Sequence, residues 1–192
     1  MKRIASLTIA ITAALSSLMA CTAKAEKADS ANDASKVLVA YFSATGTTKA
    51  VAEQIATATG GELMEIKPTE AYSDADLDWR VASSRCSREN ADPKSRPTFV
   101  KSKDNLDQYD MVFLGFPNWW NGAPRIINTF VETYGLKGKR VVMFMTSGGS
   151  GIENSERAFK SEYPDVDWQP GRLLNYESGS TVASWAKKCI AK

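Results

Sequence analysis

From residue 36 onward the chain alternates five times between a short apolar run and a stretch with helical spacing, and no other feature narrows its fold as far. The apolar runs are KVLVAYF (36–42), GELMEIKP (61–68), YDMVFLGFP (109–117), KRVVMFMTS (139–147) and the weaker WQPGRLLNY (168–176). The first, third and fourth are nearly continuous, the pattern of strands buried on both faces. The second alternates and stops at a proline, which also reads as a strand. Between and after them, residues 47–59, 74–90, 123–135, 151–163 and 178–192 read as helices. The third of these has proline near its start and glycine at its exit, the usual asymmetry of a helix. Regular strand–helix alternation predicts an α/β fold: five parallel strands with helices on both faces, a three-layer sandwich. With 192 residues, one domain with a real core is expected over 36–192.

The residues ahead of this pattern have a different character. MKRIASLTIAITAALSSLMAC opens with Lys2 and Arg3, continues uncharged and mostly apolar from Ile4 to Ala20, and ends in small residues. That is the form of a secretory signal over residues 1–25, too short and too rich in Ser and Thr for a membrane anchor. Two processing sites compete. LMAC (18–21) resembles a bacterial lipobox, which would make Cys21 the lipidated first residue and attach the protein to a membrane only through that lipid. AKA (23–25) fits ordinary cleavage. Residues 26–35 are small and polar and read as a flexible tether. An exported protein, periplasmic or lipid-anchored, is the expectation.

Charge and residue usage narrow the function. The formal net charge is only +2, and the leader carries Lys2, Arg3 and Lys24 with no acid. The remaining domain is therefore near neutral, with neither a basic footprint for nucleic acid nor a strongly acidic surface. No histidine is present, which removes the usual general base and zinc ligand. No catalytic dyad stands out, so any redox or enzymatic activity must rest on a cofactor. If Cys21 is consumed by lipid, Cys86 and Cys189 remain. In an oxidising compartment they form either a disulfide tying the chain end to a mid-chain loop or two unrelated thiols.

In parallel sheets, ligands collect beyond the carboxyl ends of the strands. After the first strand comes SATGTT, in which Ser43, Thr45, Thr47 and Thr48 offer hydroxyls and Gly46 allows close approach. A helix starts there, adding free amides and the positive end of its dipole. A cap needs one hydroxyl; four in six residues make an anion cradle. Neither a Gly-Lys-Ser/Thr loop nor G-x-G-x-x-G is present, so a terminal monophosphate fits better than a triphosphate or dinucleotide. After the third strand, Pro117, Asn118, Trp119, Trp120, Asn121 and Gly122 supply an aromatic surface. Adjacent side chains diverge, so one indole is expected to face a ligand and the other to pack inward. After the fourth strand, Thr146, Ser147, Gly148, Gly149 and Gly151 permit close backbone approach. Together these loops suit a flat heterocycle joined to a phosphate.

SATGTT resembles the phosphate motif of the flavodoxin-like family, and GFPNWWNGAP (115–124) and TSGGSGI (146–152) resemble the two flavin-ring loops of a bacterial subgroup of it. The resemblance covers roughly residues 36 to 190 and implies the strand order 2-1-3-4-5 and FMN as ligand. It implies that Ser43, Thr45, Gly46, Thr47 and Thr48 bind the phosphate. The loops at 117–122 and 146–151 would border the isoalloxazine, with Trp119 or Trp120 stacked on it. Three features depart from the pattern. Thr47 stands where the subgroup commonly has Asn, the third loop lacks the aromatic that elsewhere covers the ring's other face, and the chain is not acidic. Three functions follow in order: an electron carrier serving a redox partner protein, an FMN-dependent reductase of a quinone-like acceptor, and a flavin-free interaction module on the same scaffold.

Overall fold

The computed structural model describes residues 36–191, so the leader, Cys21 and the tether lie outside the described residues. The chain forms β1 (Val37–Tyr41), α1 (Thr47–Thr59), β2 (Glu62–Glu65), α2 (Arg85–Ala91), β3 (Met111–Pro117), α3 (Arg125–Tyr134), β4 (Arg140–Thr146), α4 (Glu153–Glu162), β5 (Asp167–Leu173) and α5 (Gly179–Ile190). The strands pair in parallel in the order β2-β1-β3-β4-β5.

Successive side chains of a strand point to opposite faces, and here both faces are apolar. Leu38, Ala40, Val112, Leu114, Phe116, Val141, Met143 and Met145 face one way and pack against Ile126, Ile127 and Phe130 of α3 and Phe159 of α4. Val37, Val39, Tyr41, Met111, Phe113, Val142 and Phe144 face the other way, against Val51 and Ile55 of α1 and Val182 and Ala186 of α5. The three layers follow from that division. Gly115 leaves room for the ring of Phe144, its register partner on β4: a Cβ there would lie 2.0 Å from Phe144 Cζ.

β5 is irregular for a visible reason. Its register with β4 shifts between Val142 and Phe144, and it carries Pro170, which a sheet tolerates at an edge. At the next residue, a Cβ on Gly171 would sit 2.5 Å from Met143 O.

Residues 74–90 depart from the single helix their spacing predicts. Turns run to residue 84 and only Arg85–Ala91 is helical. Short acidic and hydroxyl side chains take the backbone amides that a helix would need. Asp76 accepts from Ser73 N, Asp78 accepts from Arg80 N, and Ser84 caps α2 by accepting from Ser87 N.

The Cys86–Cys189 disulfide is not formed. Cys86 is a free thiol, buried in α2 beside Trp119 and Trp120, on the carboxyl side of the sheet. Cys189 sits in α5 against the other core cluster, near Arg140 and Val142 at the start of β4. The sheet separates them. Among the described residues no helix is long and apolar enough to cross a membrane, and no cluster of His, Cys, Asp or Glu could hold a metal.

Candidate functional site: a neutral trough at the strand ends

Three strand ends converge on one trough. The chain leaves β1 with Phe42 N donating to Gly115 O, and turns at Ser43, whose Oγ accepts from Gly46 N at 3.1 Å. Gly46 has φ +91°, in the left-handed region, and a Cβ there would meet nothing within 4 Å. α1 then begins with no side-chain cap and no acid in its first turn. Its first internal bond runs from Ala50 N to Gly46 O, which leaves the amides of Thr47, Thr48 and Lys49 as the helix's unbonded donors.

The second loop is a two-residue hairpin. Trp119 N donates to Gly122 O at 2.9 Å and Gly122 N donates to Trp119 O at 3.0 Å. Both central residues, Trp120 (φ +47°) and Asn121 (φ +61°), are left-handed, as a type I′ turn demands. Asn tolerates this; for a bulky indole it costs about 1–2 kcal/mol. The turn makes the two indoles diverge. Trp119 packs edge-on against Phe42 (5.6 Å, 87°) and Tyr72 (5.5 Å, 83°). Trp120 stands outward, 44% exposed. Burial, and then the bond to Glu89, push the Tyr72 phenol well above the usual tyrosine range, so it stays neutral.

The third loop is folded around Ser147, whose Oγ accepts from Gly149 N (3.1 Å) and Ser150 N (2.9 Å). Asn175, just past β5, grips it from outside: Ser147 N donates to Asn175 Oδ1 at 2.8 Å, and Asn175 Nδ2 donates to Ser147 O at 2.6 Å. A Cβ at Gly148 or Gly149 would meet no atom within 4 Å, so packing does not demand glycine there; the space beside them is open.

A cavity of about 520 Å³ is lined by Leu77, Trp79, Cys86, Asn118, Trp119, Trp120, Asn121 and the 147–150 loop. A smaller one of about 210 Å³ is lined by Thr45, Thr47, Pro117, Asn118, Thr146, Ser147, Gly148, Asn175 and Tyr176. They share Asn118, Ser147 and Gly148, and so form one trough: hydroxyls at one end, indoles at the other. No Lys, Arg, Asp or Glu is in this lining. The amide oxygen of Asn118 is buried with no hydrogen-bond partner, an acceptor aimed at a donor the protein does not supply.

The structure thus brings most of the expected residues together, with exceptions. Thr48 is 1% exposed and its hydroxyl pairs with that of Thr146 at 2.8 Å, joining the first and third loops from beneath. Ser43, Gly46 and Gly122 shape their turns without lining the trough. Gly151 lies past the lining, where a Cβ would meet the Glu153 carboxylate. Leu77, Trp79, Cys86, Asn175 and Tyr176 were missed by sequence reasoning. The last two follow the weakest strand, and the first three fall in the misread helix.

The uncapped helix start in a neutral trough fits a phosphate, and the unpaired Asn118 acceptor fits a flat ring that carries a hydrogen-bond donor. The comparisons agree. A family model described as flavodoxin matches residues 36–189. The structure is similar to that of a candidate flavoprotein from Bacteroides eggerthii, with 52% identity and a TM-score of 0.78 over 82% of this chain and 99% of that one. A candidate flavoprotein from Bacteroides uniformis is 50% identical over 80% of this chain and 98% of its own, at a TM-score of 0.77. A flavoprotein in complex with FMN from Lactobacillus acidophilus is 25% identical over 80% and 99%, at 0.64. No curated protein matches the chain. On its topology, its three loops and the match over nearly the whole described region, the chain belongs to the flavodoxin family.

Proposed function

We propose that this chain binds FMN in the trough and transfers electrons outside the cytoplasm. The observation that carries this reading is the polarity of one continuous neutral trough, with free donors at its small end and indoles at its large end. At the small end, the Thr45 and Thr47 hydroxyls and the first amides of α1 donate to a phosphate, with the helix dipole adding to the attraction. At the large end, Trp120 offers an apolar face while Trp119 holds the loop to the core. Asn118 Oδ1 accepts from a donor between them. When bound, FMN supplies the redox chemistry, and the protein's part is to seat and orient it. The Lactobacillus relative, in complex with FMN, supports the same choice of ligand.

Export and lipid attachment at Cys21 belong to the proposal and rest on the Lys2–Arg3 start, the uncharged run and LMAC. The first test is a titration of the purified chain with FMN; absence of a yellow complex would refute the reading and favour a flavin-free module. The complex is then offered reduced nicotinamide with and without a quinone. Fast turnover would make it a quinone reductase, and bleaching only by a reduced carrier protein would make it a carrier. Palmitate labelling of the full chain, lost in Cys21→Ser, tests the anchor; unchanged labelling in that variant would refute it.

A further inference from the structure

The third loop carries no aromatic, and a Cβ at Gly148 or Gly149 would meet only open space. The connection from β2 to α2 supplies one. Trp79 and Leu77 line the same cavity as Trp120, Asn121 and the 147–150 loop. Trp79 is 69% exposed, an expensive surface for an indole that serves only the fold. Among the described residues, the exposed aromatic side chains are Trp79, Trp120 and Tyr176, and each lines the trough.

The segment that carries Trp79 is tied to the site at both ends. Ahead of it, Tyr72 packs on Trp119, with the Arg85 guanidinium 4.0 Å above the Tyr72 ring centroid. Behind it, Cys86 N donates to Asp76 O at 2.9 Å. Within it, Leu77 N donates to Ser73 O, Val81 N to Asp78 O and Ser84 N to Val81 O. The Asp78 carboxylate also takes the Arg80 guanidinium through two bonds, at 2.9 and 3.1 Å. These bonds replace the expected helix with a chain of turns, and the turns bring residues 77 and 79 to the trough.

We propose that Trp79, positioned by this segment, is a flavin-ring-binding residue: the β2–α2 connection is a fourth loop of the site and supplies the aromatic that the third loop lacks. This rests on the FMN reading above. Because the contact is to the ring and not the phosphate, it should matter equally for FMN and for riboflavin.

The test titrates the full chain with FMN and with riboflavin, following quenching of flavin fluorescence. Trp79→Ala and Trp79→Gln should weaken both ligands by about tenfold, the scale of one lost aromatic contact. Trp79→Phe should stay within about threefold of the parent, since it keeps a ring in place. Melting of the flavin-free variants should match the parent, as expected for so exposed a side chain. Unchanged affinity in the alanine and glutamine variants, beside a parent that binds FMN, overturns this inference and leaves the FMN reading intact. A loss confined to FMN overturns it too, because it would place Trp79 at the phosphate. A parent that binds neither ligand overturns both.

Discussion

The hydroxyl pair beneath the trough makes a sharp test, because removing one hydroxyl should cost more than removing both. Thr48 and Thr146 are 1% and 4% exposed, 98 residues apart in sequence, and their Oγ1 atoms lie 2.8 Å from each other. Valine keeps the shape of threonine and removes the hydroxyl. Thr48→Val alone strands the Thr146 hydroxyl in the interior, and Thr146→Val strands that of Thr48. An unsatisfied buried hydroxyl costs about 1–3 kcal/mol. For a domain of this size each kcal/mol lowers Tm by roughly 2–4 °C. Replacing both removes the stranded group as well as its partner, so the double variant should lie within about 1 kcal/mol of the parent. Urea unfolding of the parent, both singles and the double closes the cycle: the singles sum to about 2–6 kcal/mol, so the coupling should be at least about 1 kcal/mol. Additive losses in the double would refute the pairing, and Thr48 would then be free to point its hydroxyl into the trough.

Other perturbations follow from named contacts. Gly115→Ala drives a methyl into the Phe144 ring at the centre of the sheet and should cost about 1–3 kcal/mol in denaturant unfolding; an unchanged midpoint would mean the Phe144 ring can move aside. Trp120→Gly releases an indole from φ +47° and should raise stability by about 1 kcal/mol while weakening FMN, a trade read from melting and titration together. Loss of both stability and binding would show that Trp120 is not strained. The raised Tyr72 pKa sets an alkaline limit. Its contribution is fully present below the unfolded value of about 10 and is lost as pH rises toward the higher folded one. Stability of the parent should therefore fall above about pH 10 more steeply than that of Tyr72→Phe, and parallel curves would exclude this phenol as the cause.

How far the sequence reveals this molecule depends on which kind of signal each part leaves. The sheet is legible because strands buried on both faces must be apolar throughout, as VLVAY and MVFLGFP are, and because helix and strand periods differ. The three loops are legible because hydroxyls, glycines and paired indoles are unusual where a buried strand ends. The divergence of Trp119 and Trp120 was also foreseeable from the alternation of adjacent side chains, though its actual cause, left-handed backbone at Trp120 and Asn121, was not. The 74–84 turns were not legible. Their spacing resembles a helix, and only the capture of amides by Asp76, Asp78 and Ser84 breaks it. The inward turn of the Thr48 hydroxyl is set by Thr146 across the sheet, which no local pattern shows. Asn175 follows a strand whose Pro170 and Gly171 obscure its period, so its grip on the third loop was equally hidden.

The central claim is that neutral donors at the head of α1 hold the phosphate of FMN. The most direct measurement is calorimetric affinity for FMN relative to riboflavin, in the parent and in Thr45→Val/Thr47→Val. Hydrogen bonds to a charged group contribute about 1.5–3 kcal/mol each, so the parent should prefer FMN by at least about tenfold, and the double variant should lose most of that preference while binding riboflavin as before. Equal affinity of the parent for both ligands, or an undiminished preference in the variant, would contradict the account.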